Sequence, residues 1–85
     1  MINQTENSLE WSTLLFELSD VVEHTQELID EMNANGNIGE IEYGIQIAHI
    51  YAHLNRAWNT RNLSESVTDS NREALSGFPK DIEPL

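Results

Sequence analysis

Three histidines are the side chains here best suited to chemistry. His49 and His53 stand one helical turn apart and can share a face. If the chain folds back at Asn33–Gly39, counting along each arm puts His24 level with His49. Three imidazoles meeting between two helices would suit a transition metal, with Glu27 or Glu42 as a fourth ligand. The spacing also has a plainer reading. His24 and His49 both fall toward the outside of their apolar stripes, and no His-Glu-x-x-His run accompanies them. Solvated or locally hydrogen-bonded histidines are the simpler expectation, so metal binding at His24, His49 and His53 is the alternative and the leading reading carries no cofactor.

Carboxylates form the second constellation. Glu27, Asp30 and Glu31 lie within about a turn of helix, and Glu40 and Glu42 approach from beyond the loop. Metal-dependent nucleotide hydrolysis in a helical protein would need such groups to converge from two helices. It would also need a cation for the phosphates, and Arg56, Arg61 and Arg72 belong to the opposite end of the hairpin. A charged solvent face accounts for these acids more simply. The run Asn55-Arg56-Ala57-Trp58-Asn59-Thr60-Arg61-Asn62 either closes the open end or forms a Trp and Arg rim for a partner. Arg56 and Arg61 have Glu6, Glu10 and Glu65 as candidate ion-pair partners. No nucleophile elbow or phosphate loop is present, and the lean is away from an enzyme.

The elements that must position these groups are helices. Trp11, Leu14, Leu18, Val21, Thr25, Leu28 and Met32 alternate in steps of three and four, the period of a helix seam. Leu15, Val22 and Ile29 widen it, as in a bundle helix. The first helix is expected over 8–34, with Asn7 or Ser8 as cap. Asn33 to Gly39 supplies glycines and asparagines for a turn. A second helix follows over 39–62, antiparallel to the first. Ser70 and Glu73 resemble a capping box for a short helix over 70–76. Residues 77–85 read as an extended tail, with Phe78, Ile82 and Leu85 able to strap across the bundle; Leu63 and Val67 are further anchors. Residues 1–85 make one all-α domain.

The second helix carries a further apolar flank. Ile41, Ile45, Ala48 and Ala52 lie beside its main stripe, which runs through Tyr43, Gly44, Ile47, Ile50, Tyr51, Leu54, Ala57 and Trp58, and the small residues Gly44, Ala48 and Ala52 recur every four positions. Glycine inside a helix costs about 1 kcal/mol relative to alanine, which close packing of another helix would explain. A single hairpin leaves this flank wet. Two hairpins related by a two-fold axis would cover it in a four-helix bundle, so a homodimer is expected.

Charge bounds the function. The chain has 15 Asp and Glu against 4 Lys and Arg, a net charge of -11, and no basic side chain precedes Arg56. Such a field disfavours direct contact with nucleic acid and acidic membranes. Without cysteine there is no disulfide or thiolate site. No apolar run reaches membrane-spanning length, and Met1 to Ser8 lacks the features of a secretory signal, so the cytoplasm is the expected location. The leading functional reading is a small acidic interaction protein that sequesters or inhibits a basic protein. Glu10, Glu17, Asp20, Glu23, Glu27 and Asp30 would supply its negative stripe, which in one version of this reading stands in place of nucleic-acid phosphates.

Overall fold

Helix formation begins where the local signals place it. In the computed structural model, which describes residues 2–63 and 71–82, α1 spans Ser8–Asn35. Asn7 is its N-cap position, though its side chain makes no capping bond. Asn3 instead accepts hydrogen bonds through Oδ1 from the Thr5 and Glu6 N–H groups, each at 2.9 Å, which orders the entry. Gly36 ends the helix at φ 71°, and its N–H donates to the Met32 carbonyl at 2.8 Å. A residue without Cβ adopts this left-handed conformation without penalty.

Helix α2 spans Glu40–Asn59, and α3 is a single turn, Arg72–Leu75. No strand occurs among the described residues. The second helix stops three residues before the expected end, where Thr60 caps it. The Thr60 N–H and hydroxyl both donate to the Arg56 carbonyl, at 2.9 and 2.6 Å. Ser70 of the expected capping box lies outside the described residues, as do Glu65, Val67 and Leu85. No described helix is long and apolar enough to cross a membrane.

The two long helices pack as a hairpin about the expected stripes, shifted toward the polar edge of each. Leu14 and Leu28 of α1 and Ile50 of α2 are the buried apolar side chains of the two long helices. Beside them the hairpin buries Glu17, His53 and Arg56. Leu15, Leu18, Val22 and Ile29 are all exposed, Val22 at 69%. Each helix is therefore rotated so that a polar edge turns inward. The edge of α1 through Trp11, Leu18, Val22 and Ile29 is left facing outward, beside the Tyr43–Ile47–Leu54–Trp58 edge of α2. Trp11, Leu15, Leu18, Leu54, Ala57 and Trp58 line one groove of about 400 Å³, which places both edges on the same side.

The Asn55–Asn62 run brackets the C-terminal segment. Asn55 Nδ2 donates to the Ser76 carbonyl at 3.0 Å, and Asn59 Nδ2 donates to the carbonyls of Leu75 and Gly77 at 2.7 and 2.9 Å. Trp58 Nε1 donates to Asp81 at 2.7 Å, and Arg61 lies over the Trp58 ring and pairs with the same carboxylate at 3.0 Å. These donors, the Trp58 bond foremost, hold the Asp81 carboxyl below its ordinary pKa. Phe78 stacks on Tyr51 with ring centroids 6.0 Å apart, and Pro79 is buried. The described part of the tail is thus a strap across α2.

Candidate metal centre

The inward-turned polar edges build one site. His24 comes from the middle of α1, and His49 and His53 from successive turns of α2. His49 Nε2 lies 3.2 Å from His24 Nε2 and 3.3 Å from His53 Nε2. The His49 ring is nearly perpendicular to both neighbours, at 84° and 88°, while His24 and His53 are nearly parallel at 17°. One nitrogen from each ring falls within a common 4.8 Å.

These separations suit a cation. Zinc–nitrogen bonds of about 2.0–2.1 Å put tetrahedral ligand nitrogens about 3.3–3.4 Å apart. Two edges of the triangle already match; the third, between His24 and His53, lies within 4.8 Å. His49 Nε2 faces two nitrogens at once, and a single proton on it would be shared between two acceptors. A metal ion placed there would satisfy all three lone pairs.

Carboxylates stand behind the ligands. Glu17 Oε2 lies 2.7 Å from His53 Nδ1, and Asp20 lies 3.8 Å from the same atom. An ionised carboxylate only accepts, so we assign the proton to Nδ1, which leaves the His53 Nε2 lone pair facing its partners. Arg56 Nη2, 2.9 Å from the same Nδ1 and able only to donate, competes with Glu17 for that atom. Arg56 Nε donates to Glu17 Oε1 at 3.1 Å, and its Nη1 donates to the Ser76 hydroxyl at 2.7 Å. Across the site, Glu27 lies 3.6 Å from His24 Nδ1, again behind the ring. Acids in this position fix the tautomer of a ligating histidine and raise its basicity.

His49, the outermost of the three, has its pKa lowered. Desolvation within the cluster is the main cause, followed by the charges of His24, His53 and Arg56, with Asp20 opposing them. A neutral imidazole is the form that binds metal.

The remaining expected site residues scatter. Glu17 leaves the proposed acidic stripe: it is buried between His53 and Arg56, which explains why Arg56 pairs with it and not with Glu6 or Glu10. Glu10 and Asp20 are half-buried; Glu23, Glu27 and Asp30 are exposed, and Asp30 accepts a bond from Gln26 at 2.8 Å. Glu31 and Glu42 approach across the turn, and the Glu42 charge is the main cause that raises the Glu31 pKa. Neither they nor any other described acids join a group of three converging metal ligands. Ile41, Gly44, Ile45 and Ala48 lie exposed on the outer side of α2 and Ala52 is half-buried; no atom approaches within 4 Å of a Cβ built on Gly44.

Sequence periodicity missed Glu17 and Arg56 as parts of the site. The available signal was a shared helical phase: Glu17 and His24 are seven residues apart, and Arg56 follows His53 by three. No family model, curated protein or solved structure matches the chain.

Proposed function

We propose that this protein binds a divalent transition metal of zinc-like preference through His24, His49 and His53. The observation that carries this reading is the convergence of three Nε2 atoms, with His49 Nε2 within 3.3 Å of each of the other two. An all-imidazole donor set favours zinc, copper or nickel over magnesium or calcium. Glu17 positions His53 and holds its tautomer, and Glu27 has the same place behind His24. The surrounding acids, in a chain of net charge -11, attract a dication. Three protein donors leave a further coordination position to water or another small ligand. The geometry favours this metal reading over capture of a basic protein, because Glu17 is committed inside the hairpin. We also propose that the hairpin forms half of a four-helix bundle, since so few of its apolar side chains find cover within one chain.

Zinc titration of chelator-treated protein, followed by calorimetry, tests the metal reading. One equivalent should bind with at least micromolar affinity, and His49→Ala should weaken binding by 100-fold or more. Cobalt loading should give the visible absorption of a tetrahedral nitrogen site. Binding that is absent, or unchanged in His49→Ala, would sink the proposal.

A further inference from the structure

We infer that the hairpin docks a second copy of itself on the uncharged face formed by Leu18, Val22 and Ile29 of α1 with Ile47, Leu54 and Trp58 of α2. The inference rests on the four-helix reading and names its surface. On α1 the edge runs at helical spacing from Trp11 to Met32, and on α2 from Tyr43 to Trp58, with no charged side chain at those positions. Glu17 is internal, and Asp20 and Glu27 are grouped with the histidines. Asp81 does meet the face, at Trp58 Nε1, but it is paired there with Arg61. Two copies carrying -11 each can meet here with their helix carboxylates turned away from one another.

Area supports the same occupant. The chain exposes 6235 Å². A compact monomer of its 9.7 kDa mass would expose about 5,100 Å². That excess belongs to the chain as a whole; on this face Leu18, Val22, Ile29, Ile47 and Leu54 are 42–69% exposed. Face-to-face pairing of two such hairpins gives a bundle whose core takes up the exposed Leu18, Val22 and Ile29. A basic partner gains no charge complementarity on this face. The outer flank of α2, Ile41 to Ala52, offers only one helix and no groove.

The test is native mass spectrometry and light scattering of the full chain, unmodified and as Leu18→Glu/Val22→Glu, with Ile45→Glu as the comparison. The expected result is a mass of twice 9.7 kDa for the unmodified chain and for Ile45→Glu, and a monomer for the double variant. The double variant should keep its helical circular dichroism, because both side chains are exposed in the monomer. Should it fail to fold, Val22→Cys keeps the question open to measurement. In a chain with no other cysteine, it should cross-link to a covalent dimer under mild oxidation, and Ile45→Cys should not. Raising salt should strengthen the dimer by screening like charges. A native monomer at every concentration would overturn both the bundle and this face. A dimer that survives Leu18→Glu/Val22→Glu but separates with Ile45→Glu would overturn the face and leave the bundle standing.

Discussion

Replacing Glu17 with glutamine removes a charge and almost no volume. In the native protein the Glu17 carboxylate lies 3.1 Å from Arg56 Nε and 2.7 Å from His53 Nδ1, and both partners of the Arg56 pair have side chains about one-tenth exposed. Arg72, at 4.0 Å from the same carboxylate, is more than half exposed and contributes little. The amide can still accept from one neighbour, but it leaves the Arg56 guanidinium buried without a counter-charge. Breaking a buried pair from one side costs about 3–5 kcal/mol. The Arg56 bond to the Ser76 hydroxyl survives, so the lower end, about 3 kcal/mol, is expected for Glu17→Gln. That is a large share of the roughly 5–15 kcal/mol that stabilises a natural domain. Urea unfolding of metal-free protein at neutral pH measures it, with Arg56→Met and the double variant completing a cycle. The double variant should be less destabilised than the sum of the singles. The same Glu17→Gln change should weaken zinc binding about 10- to 100-fold, since an outer-shell carboxylate on a ligand histidine is lost. A Glu17→Gln protein within 0.5 kcal/mol of the parent in stability would refute the buried-pair reasoning, because surface substitutions fall in about that range.

Gly36→Ala should cost about 1 kcal/mol by thermal or urea unfolding: its φ of 71° is unfavourable for alanine, while no atom stands within 4 Å of the added methyl. Glu31 has its pKa raised above the ordinary 4.5, chiefly by the Glu42 charge. Unfolding therefore releases a proton between those two values, so this group's contribution to stability is full below the unfolded pKa and lost as pH rises through the folded one. Glu42→Gln should remove that loss and return the Glu31 carboxyl to ordinary titration by NMR. Replacing the buried polar trio with apolar residues, as Glu17→Leu/His53→Leu/Arg56→Met, should leave stability equal to the parent or higher by about 1–4 kcal/mol while abolishing metal binding; a protein that failed to fold would show that the trio is structural.

Much of the fold follows from local signals. The three-four periodicity of α1 and the left-handed glycine at 36 are properties of short windows, and the structure places the helix and its stop within a residue of them. Pairing two long helices across a four-residue connection is then nearly forced. Rotation about each helix axis is different. The expected seam holds the exposed Leu18 as well as the buried Leu14 and Leu28, and the apolar pattern alone does not fix which of its sides turns inward. That choice depends on Glu17, His53 and Arg56 satisfying one another across 36 and 39 positions of sequence. No single-helix window contains that information. The histidine triangle was legible because it needs only the counting of turns back from a loop, whereas the carboxylates behind it required the rotation. The strap had the same difficulty. Asn55 and Asn59 look like a weakened helix end until the carbonyls of residues 75–77 arrive to accept from them.

The rotation also joins the two surfaces. Turning Glu17, His53 and Arg56 inward gathers the imidazoles, and by the same movement turns Leu18, Val22 and Ile29 out. Each half is costly alone, since the buried charges must be desolvated and the exposed aliphatics remain in water. A metal bound as proposed would offset the first cost by binding only the arrangement in which the three rings converge. A second copy in the proposed bundle would offset the other by burying the exposed aliphatics, which face outward only while the polar edges stay inside. Metal and partner would then select the same helix rotation from opposite sides of the hairpin. As coupled ligands with no shared residue, each should tighten the binding of the other by the same factor. If zinc left the dimer dissociation constant unchanged, the two costs would be met independently, and the rotation would be set by packing within one chain.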